Sequence, residues 1–205
     1  MKKPKLRELA EAVKSLFSRP ATVRFPAEPY EPPAGFRGKP KFHEDDCIGC
    51  AACAEVCPSQ CITVTDDVRA RPPMRRLELN YGACIFCGQC ELNCSTEKGV
   101  RLSTEFDLAA FDRTTCVERV EKELVLCEVC GEIIGARQHL LWLAERLGAK
   151  RYANPTLILL ADGEMGLVEP AAPREIERPL DRSDTFRILC PKCRRATVLR
   201  ETWGA

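Results

Sequence analysis

Two runs of cysteine carry the clearest chemistry in this chain. They are Cys47-Ile48-Gly49-Cys50-Ala51-Ala52-Cys53-Ala54-Glu55-Val56-Cys57-Pro58 and Cys84-Ile85-Phe86-Cys87-Gly88-Gln89-Cys90-Glu91-Leu92-Asn93-Cys94-Ser95. Both have the spacing C-x2-C-x2-C-x3-C. Two-residue spacers let three thiolates wrap one face of a 4Fe-4S cube while backbone amides point at its sulfurs, and the fourth thiolate, a helical turn further on, faces the other cluster. By this exchange one cube would be held by Cys47, Cys50, Cys53 and Cys94, and the other by Cys84, Cys87, Cys90 and Cys57. The crossing would keep the clusters close enough for electrons to pass between them. A structural zinc site needs four ligands once, so two crossed copies of a four-cysteine run argue against zinc here. Gly49 and Gly88 are expected where backbone must approach a cluster, and Ile48, Ile85 and Phe86 are expected to cover it. Cys61 and Cys116 fit neither run and are read as buried free thiols.

A second metal candidate lies downstream. Cys127-Glu128-Val129-Cys130-Gly131 and Cys190-Pro191-Lys192-Cys193 are two C-x2-C knuckles that together supply four soft ligands for a tetrahedral ion, with Gly131 easing the turn after the first. The 59 residues between them exceed the usual zinc-ribbon spacing. Structural zinc is the leading expectation; a third iron-sulfur cluster and unmetallated redox-active thiols are the alternatives. Other residues offer less. His43 and His139 are isolated and expected to face solvent. Asp162-Gly163 reads as a turn and Arg194-Arg195 as a solvated turn beside a knuckle. No phosphate-binding glycine loop, nucleophile elbow or dinucleotide fingerprint is present.

These residues need elements to position them. Fourteen cysteines in 205 residues, with only 6% aromatic residues, make metal or redox use of thiols more plausible than packing alone. The near-balanced charge of +1 is an average. Residues 1–43 carry ten Lys/Arg against four Asp/Glu, residues 44–94 four against eight, and the remainder seventeen against eighteen. A basic arm thus precedes an acidic, cysteine-dense middle, and its scattered aromatics argue against a nucleic-acid surface. From Pro4 to Arg19 the apolar residues Leu6, Leu9, Val13, Leu16 and Phe17 recur at helical spacing, which predicts a short amphipathic helix. Pro20, Pro26, Pro29, Pro32, Pro33 and Pro40 make residues 20–40 an extended strap. Residues 41–103 hold nine of the cysteines in two matching units. Short extended runs flank each loop: Lys41-Phe42 and Ile62-Thr63-Val64, then Leu77-Glu78-Leu79 and Val100-Arg101-Leu102. Beyond them, a helix is expected near Arg137 to Leu147, followed by an apolar run from Leu157 to Ala161. No stretch approaches the ~20 apolar residues that cross a bilayer, and the charged start lacks a signal peptide's apolar block, so a cytosolic, reducing setting is expected.

With Phe36-Arg37-Gly38-Lys39-Pro40, both cysteine runs, Cys57-Pro58-Ser59 and Tyr81-Gly82-Ala83 on the page, the chain resembles the two-cluster ferredoxin-like subunit of respiratory complex I. It looks most like the relative found in formate hydrogenlyase and other membrane-bound nickel-iron hydrogenases, which is similar in carrying paired cysteines after the core. Arg19-Pro20-Ala21-Thr22-Val23-Arg24-Phe25-Pro26 looks like the strap that precedes the core in this family, so the resemblance covers roughly residues 15 to 115. Ser95 stands where the family usually has proline, a change expected to affect loop stiffness more than ligation. The resemblance implies an α+β chain: an N-terminal helix and docking strap (1–40), a bacterial two-cluster ferredoxin-like core (41–110) and a zinc-ribbon-like extension (111–205). It further implies a non-catalytic electron relay through two 4Fe-4S clusters, docked on hydrogenase and membrane subunits at the cytoplasmic face of the inner membrane, with no nucleic-acid partner. Alternatives are the complex I subunit proper, a free soluble ferredoxin, and a zinc-stapled assembly module.

Overall fold

The computed structural model describes residues 6–168 and 178–203, with side chains as far as residue 199. The chain divides into two compact units, Met1–Phe36 and Arg37–Ala205.

In the first unit the apolar periodicity forms α1, Leu6–Phe17, within the expected span. Pro4 and Lys5, the expected start, lie outside the described residues. No residue of α1 is buried, and its apolar face of Leu6, Leu9, Val13, Leu16 and Phe17 is open, Phe17 at 88% exposure.

The second unit opens with β1 (Pro40–Phe42), α2 (Ala52–Glu55), β2 (Ile62–Asp67), β3 (Met74–Asn80), α3 (Gln89–Leu92) and β4 (Val100–Leu102). Each extended run expected around the cysteine loops falls inside one of these strands. β1 pairs antiparallel with β4. β2 pairs with β3, and β3 then pairs along its whole length with β5 (Val117–Leu126), which pairs with β6 (Ile133–Ala136). β5 lies beyond residue 110, so one antiparallel sheet runs through the cysteine-rich core and the C-terminal part alike. Three helices follow: α4 (Arg137–Leu147), α5 (Pro155–Glu164) and α6 (Pro191–Trp203). The protein is therefore of mixed helix-and-sheet class.

Strand alternation sorts the sheet's residues. Leu77 and Leu79 of β3 point inward with Ile62 of β2 and Val120 of β5, and join Cys47, Cys53, Cys61, Tyr81 and Val100 in one core. A second core forms where Val125 meets Leu140 and Ala144 of α4, Leu157 and Leu160 of α5, and Ile188.

Three local expectations are corrected. Asp162-Gly163 lies inside α5, because Asn154 caps that helix by accepting from Thr156 N–H and Pro155 sets its first turn, so the run Leu157–Ala161 is helical. Arg194 sits in α6 and donates to the carbonyls of Thr185 and Arg187 and to Thr156 Oγ1, holding the preceding loop rather than facing water. His139 is half-buried, and burial followed by the nearby Arg75 charge holds its pKa below the usual value. His43 is exposed, and its carbonyl accepts from Cys47 N–H.

Candidate metal centres

The two cysteine loops are built alike, residue for residue. In the first, Gly49 and Ala51 adopt left-handed backbone (φ 68° and 65°); at the same offsets in the second, Phe86 and Gly88 do so (53° and 80°). Each loop thus uses one glycine and one strained residue, an arrangement that turns successive N–H groups to one side, as anion-binding nests do. α2 and α3 follow directly, carrying Cys53 and Cys90. The glycines are needed for backbone conformation and for packing against protein: a Cβ on Gly49 would lie 2.9 Å from Lys122 Cβ, and one on Gly88 3.2 Å from Leu102 Cδ1.

The fold gathers these cysteines into two quartets. Cys47, Cys50, Cys53 and Cys94 line one small hollow, and Cys57, Cys84, Cys87 and Cys90 line another. In each, the fourth cysteine comes from the other run. Burial pushes the Cys53 thiol up to about 12, helped by the neighbouring thiols of Cys47, Cys50 and Cys90; burial pushes Cys90 up to about 11. Crowded thiolates in a buried hollow are unfavourable without a cation, which is the environment a cationic iron core relieves. Ile48 is buried on the first hollow, whereas Ile85 is 61% exposed although it edges the second.

Hydroxyls reach sulfurs of both quartets. Ser59 Oγ lies 3.6 Å from Cys57 Sγ and Thr96 Oγ1 3.5 Å from Cys94 Sγ, equivalent places in the two units. Ser95 adds a contact that Pro58 cannot make, its Oγ 3.4 Å from Cys50 Sγ. This replacement changes the polarity around a sulfur as well as the stiffness of the loop. Cys61 is buried and free, as expected, and it also edges the second hollow with its Sγ 3.4 Å from that of Cys57. Cys116 is half-buried and its thiol donates to Leu108 O at 3.9 Å.

β5 supplies residues that the cysteine spacing could not reveal. Glu118 Oε1 accepts from Phe42 N–H at 2.7 Å, and its other oxygen accepts from Tyr81 O–H, which also donates to Pro40 O at 2.8 Å. Lys122, 5% exposed, donates to Glu44 O on the first loop. Beside it Arg75 forms a bidentate pair with Asp66, both distances 2.8 Å, and donates to Gly49 O at 3.1 Å. The alternation in Val-Glu-Arg-Val-Glu-Lys-Glu-Leu places Lys122 inward between Val120 and Leu124, and that was the signal available in the sequence.

The C-terminal knuckles also come together, although 59 residues separate them. The Sγ atoms of Cys127, Cys130, Cys190 and Cys193 all lie within 4.8 Å of one another, which makes them the single-ion cluster among the described residues. Cys127 and Cys130 occupy the turn between β5 and β6, with Gly131 at φ 70°; Cys190 and Cys193 sit at the start of α6. The centre is thus framed by one hairpin turn and one helix start, not by two hairpin knuckles. Glu128 N–H to Ile188 O at 3.0 Å ties the two segments. Burial works against the Cys127 thiolate, but amides of Cys130, Cys190 and Val129 outweigh it and bring the thiol down to about 7.

The cysteine runs also match known proteins in sequence. The model of a 4Fe-4S dicluster domain matches residues 33–98, which include all eight run cysteines. NADH-quinone oxidoreductase subunit I 2 of Geobacter metallireducens is 33% identical over 116 residues, 54% of this chain and 88% of that one. Formate hydrogenlyase subunit 6 of Escherichia coli is 37% identical over 110 residues, 54% of this chain and 59% of its own. Among solved structures, one of the membrane-bound sulfane sulfur reductase, an archaeal respiratory membrane complex, matches at 28% identity and TM-score 0.38, over 57% of this chain and 61% of its own.

Proposed function

Because the chain belongs to the family of NADH-quinone oxidoreductase subunit I, whose members are iron-sulfur electron-transfer subunits, we propose that it relays electrons through two 4Fe-4S clusters. One is assigned to Cys47, Cys50, Cys53 and Cys94, the other to Cys84, Cys87, Cys90 and Cys57. The observation that carries the assignment is the sorting of eight thiols into two quartets around two separate hollows. Bound there, the clusters supply one-electron redox capacity. The protein's part is to fix the thiolates, exclude water with Ile48, and set the potentials through hydroxyls and charges.

For the third quartet we propose a structural zinc. Tetrahedral Zn–S bonds of ≈ 2.3 Å place sulfurs about 3.8 Å apart, in keeping with a group gathered within 4.8 Å, whereas a cube of four irons spreads its ligands further.

The complex is proposed to be a nickel-iron hydrogenase of the formate hydrogenlyase type, with the chain peripheral to the membrane on its cytoplasmic side. The similarity to formate hydrogenlyase subunit 6 supports the type. The open apolar face of α1 and the basic arm support docking on membrane-bound partner subunits. Among the described residues no helix is long and apolar enough to cross a membrane. A complex I-type assembly is the alternative, and the subunits that copurify with the native chain decide between them. For the relay itself, the anaerobically reconstituted full chain should bind about eight irons and one zinc, and its two reduced clusters should couple magnetically. A chain that binds zinc without iron would falsify the assignment.

A further inference from the structure

The two proposed clusters sit in unequal fields. β2, β3 and β5 place Asp66, Arg75 and Lys122 directly opposite one another in register, on the face of the sheet toward the first cysteine loop. Like charges opposed on neighbouring strands repel. Asp66 answers Arg75 through two hydrogen bonds. Lys122 has no such answer: it is 5% exposed, its ammonium meets the Glu44 carbonyl, and among the described residues no carboxylate forms an ion pair with it. A buried ammonium needs a compensating negative charge nearby. Both carbonyls taken by this pair of cations, Glu44 O and Gly49 O, belong to the first loop, which bears Cys47 and Cys50. An iron-sulfur cube with four thiolates is anionic, and more so when reduced.

Among the described residues the second loop lacks this arrangement. The cation that reaches it is Arg37, whose guanidinium meets Cys87 O at 3.4 Å from an exposed position where solvent screens it. Acidic residues do not reverse the difference, since Glu44, Asp45 and Asp46 beside the first loop are all exposed to water. Hydrogen bonds to sulfur do not create it either. Both quartets receive side-chain and amide donors in like measure: Ser95, Thr96 and the amides of Gly49, Ala54, Thr96, Gly99 and Val100 in the first, and Ser59, Cys61 and the amides of Ser59, Cys61, Phe86 and Glu91 in the second.

Resting on the two-cluster assignment, we infer that Lys122 is a potential-setting residue: its buried charge makes the Cys47/Cys50/Cys53/Cys94 cluster the higher-potential member of the pair. At equilibrium a single electron shared by the pair then resides mainly on the Cys47 quartet, to which it passes from the Cys84 quartet. In that step the donor cluster is oxidised by one electron, the acceptor is reduced by one, and no bond or proton changes hands. Lys122 comes from β5, outside the residues matched by the dicluster family, so a residue of the C-terminal part of the chain sets the order of the two potentials.

The test is a redox titration of the full, iron-loaded chain read by electron paramagnetic resonance, beside Lys122→Met, Lys122→Gln and Lys122→Arg. The wild type should show two one-electron waves separated by at least tenfold in reduced-to-oxidised ratio, 59 mV, and the separation should persist in 1 M salt. Lys122→Met and Lys122→Gln should lower the higher wave by about that amount and leave the lower one in place, while Lys122→Arg should hold it. Coincident wild-type waves, a separation that collapses with salt, an unmoved higher wave or a shift of the lower one would each overturn the inference. The salt arm needs no variant, so a variant that fails to fold does not protect the idea. Iron content keeps the two questions apart: a chain without about eight irons defeats the cluster assignment, whereas eight irons with an unmoved wave defeat only the role of Lys122.

Discussion

Removing Asp66 tests whether its register with Arg75 and Lys122 acts as one electrostatic unit. The carboxylate and guanidinium are 21% and 16% exposed, so Asp66→Ala breaks a largely buried pair and leaves Arg75 facing Lys122 without an anion. Breaking such a pair costs about 3 kcal/mol, the lower end of the usual span because some water reaches it. Part of that loss is the attraction of Asp66 for Lys122 two strands away. At about 4.8 Å per strand the charges are ~9.6 Å apart, which at an effective dielectric of about 20 amounts to about 1.7 kcal/mol. Hydrogen exchange by mass spectrometry on the iron-loaded chain reads the local opening without unfolding the metal sites. Amides of β3 between Arg75 and Leu79 should exchange roughly 150-fold faster in Asp66→Ala, but only about tenfold faster when the same change is made in Lys122→Met. Equal accelerations in the two backgrounds would refute the ladder. The pH dependence has a definite sign. The hydrogen bonds from Arg75 hold the Asp66 carboxyl below its usual 3.8, so the stabilisation is full above that pH and lost as the pH falls below it. Wild type and Asp66→Asn should converge there.

Crossed ligation makes two opposite expectations. Cys94→Ser should cost the cluster otherwise bound by the first run, and Cys57→Ser the one bound by the second, each chain keeping about four irons; loss of the cluster within the mutated run would contradict the crossing. Tyr81→Phe strips a buried hydroxyl from Pro40 O and the Glu118 carboxylate and should destabilise the chain by about 2 kcal/mol, measured as a lowered urea midpoint. Chelation of one zinc, followed by metal analysis and limited proteolysis, should expose α6 to cleavage while iron stays bound; simultaneous loss of iron would argue against separate sites.

The parts of this fold legible in the sequence were those fixed by local chemistry. Cysteine spacing sorts the eight thiols into the quartets that line the two hollows, and short β-rich runs around each loop coincide with β1 to β4, because such a loop must be closed by strands on both sides. The rest depends on partners distant in the chain. β5 is easy to miss, since five of the six residues from Glu118 to Glu123 are charged; Arg119, Glu121 and Glu123 are the outward half of an alternating strand, while Glu118 and Lys122 lie on the inward half. Cys61 looks surplus by spacing because its relation to Cys57 arises only when β2 closes the loop. Arg194 looks like a solvent-facing charge until α6 and the preceding loop put three oxygen acceptors around it. The 59-residue gap between knuckles weakens a zinc reading on the page, but contact in space has no such limit: α4 and α5 pack as a folded insertion that returns the chain to its starting point.

That return links the third quartet to the proposed relay. β5 ends at Leu126, and Cys127 is the next residue, so the ion proposed at the third quartet would grip the strand at its terminus. Everything β5 gives the cluster core, Glu118 holding β1 and Lys122 reaching the first loop, depends on its register against β3. Strand register shifts in whole residues, and a slip of one would turn Lys122 and Glu118 to the opposite face. A bulge at Val125/Leu126 already breaks the pairing with β6 just before the knuckle, so the ladder alone does not fix that end. An ion at Cys127 would do so. The structural site would then support the redox site by holding in place the strand that carries its charge.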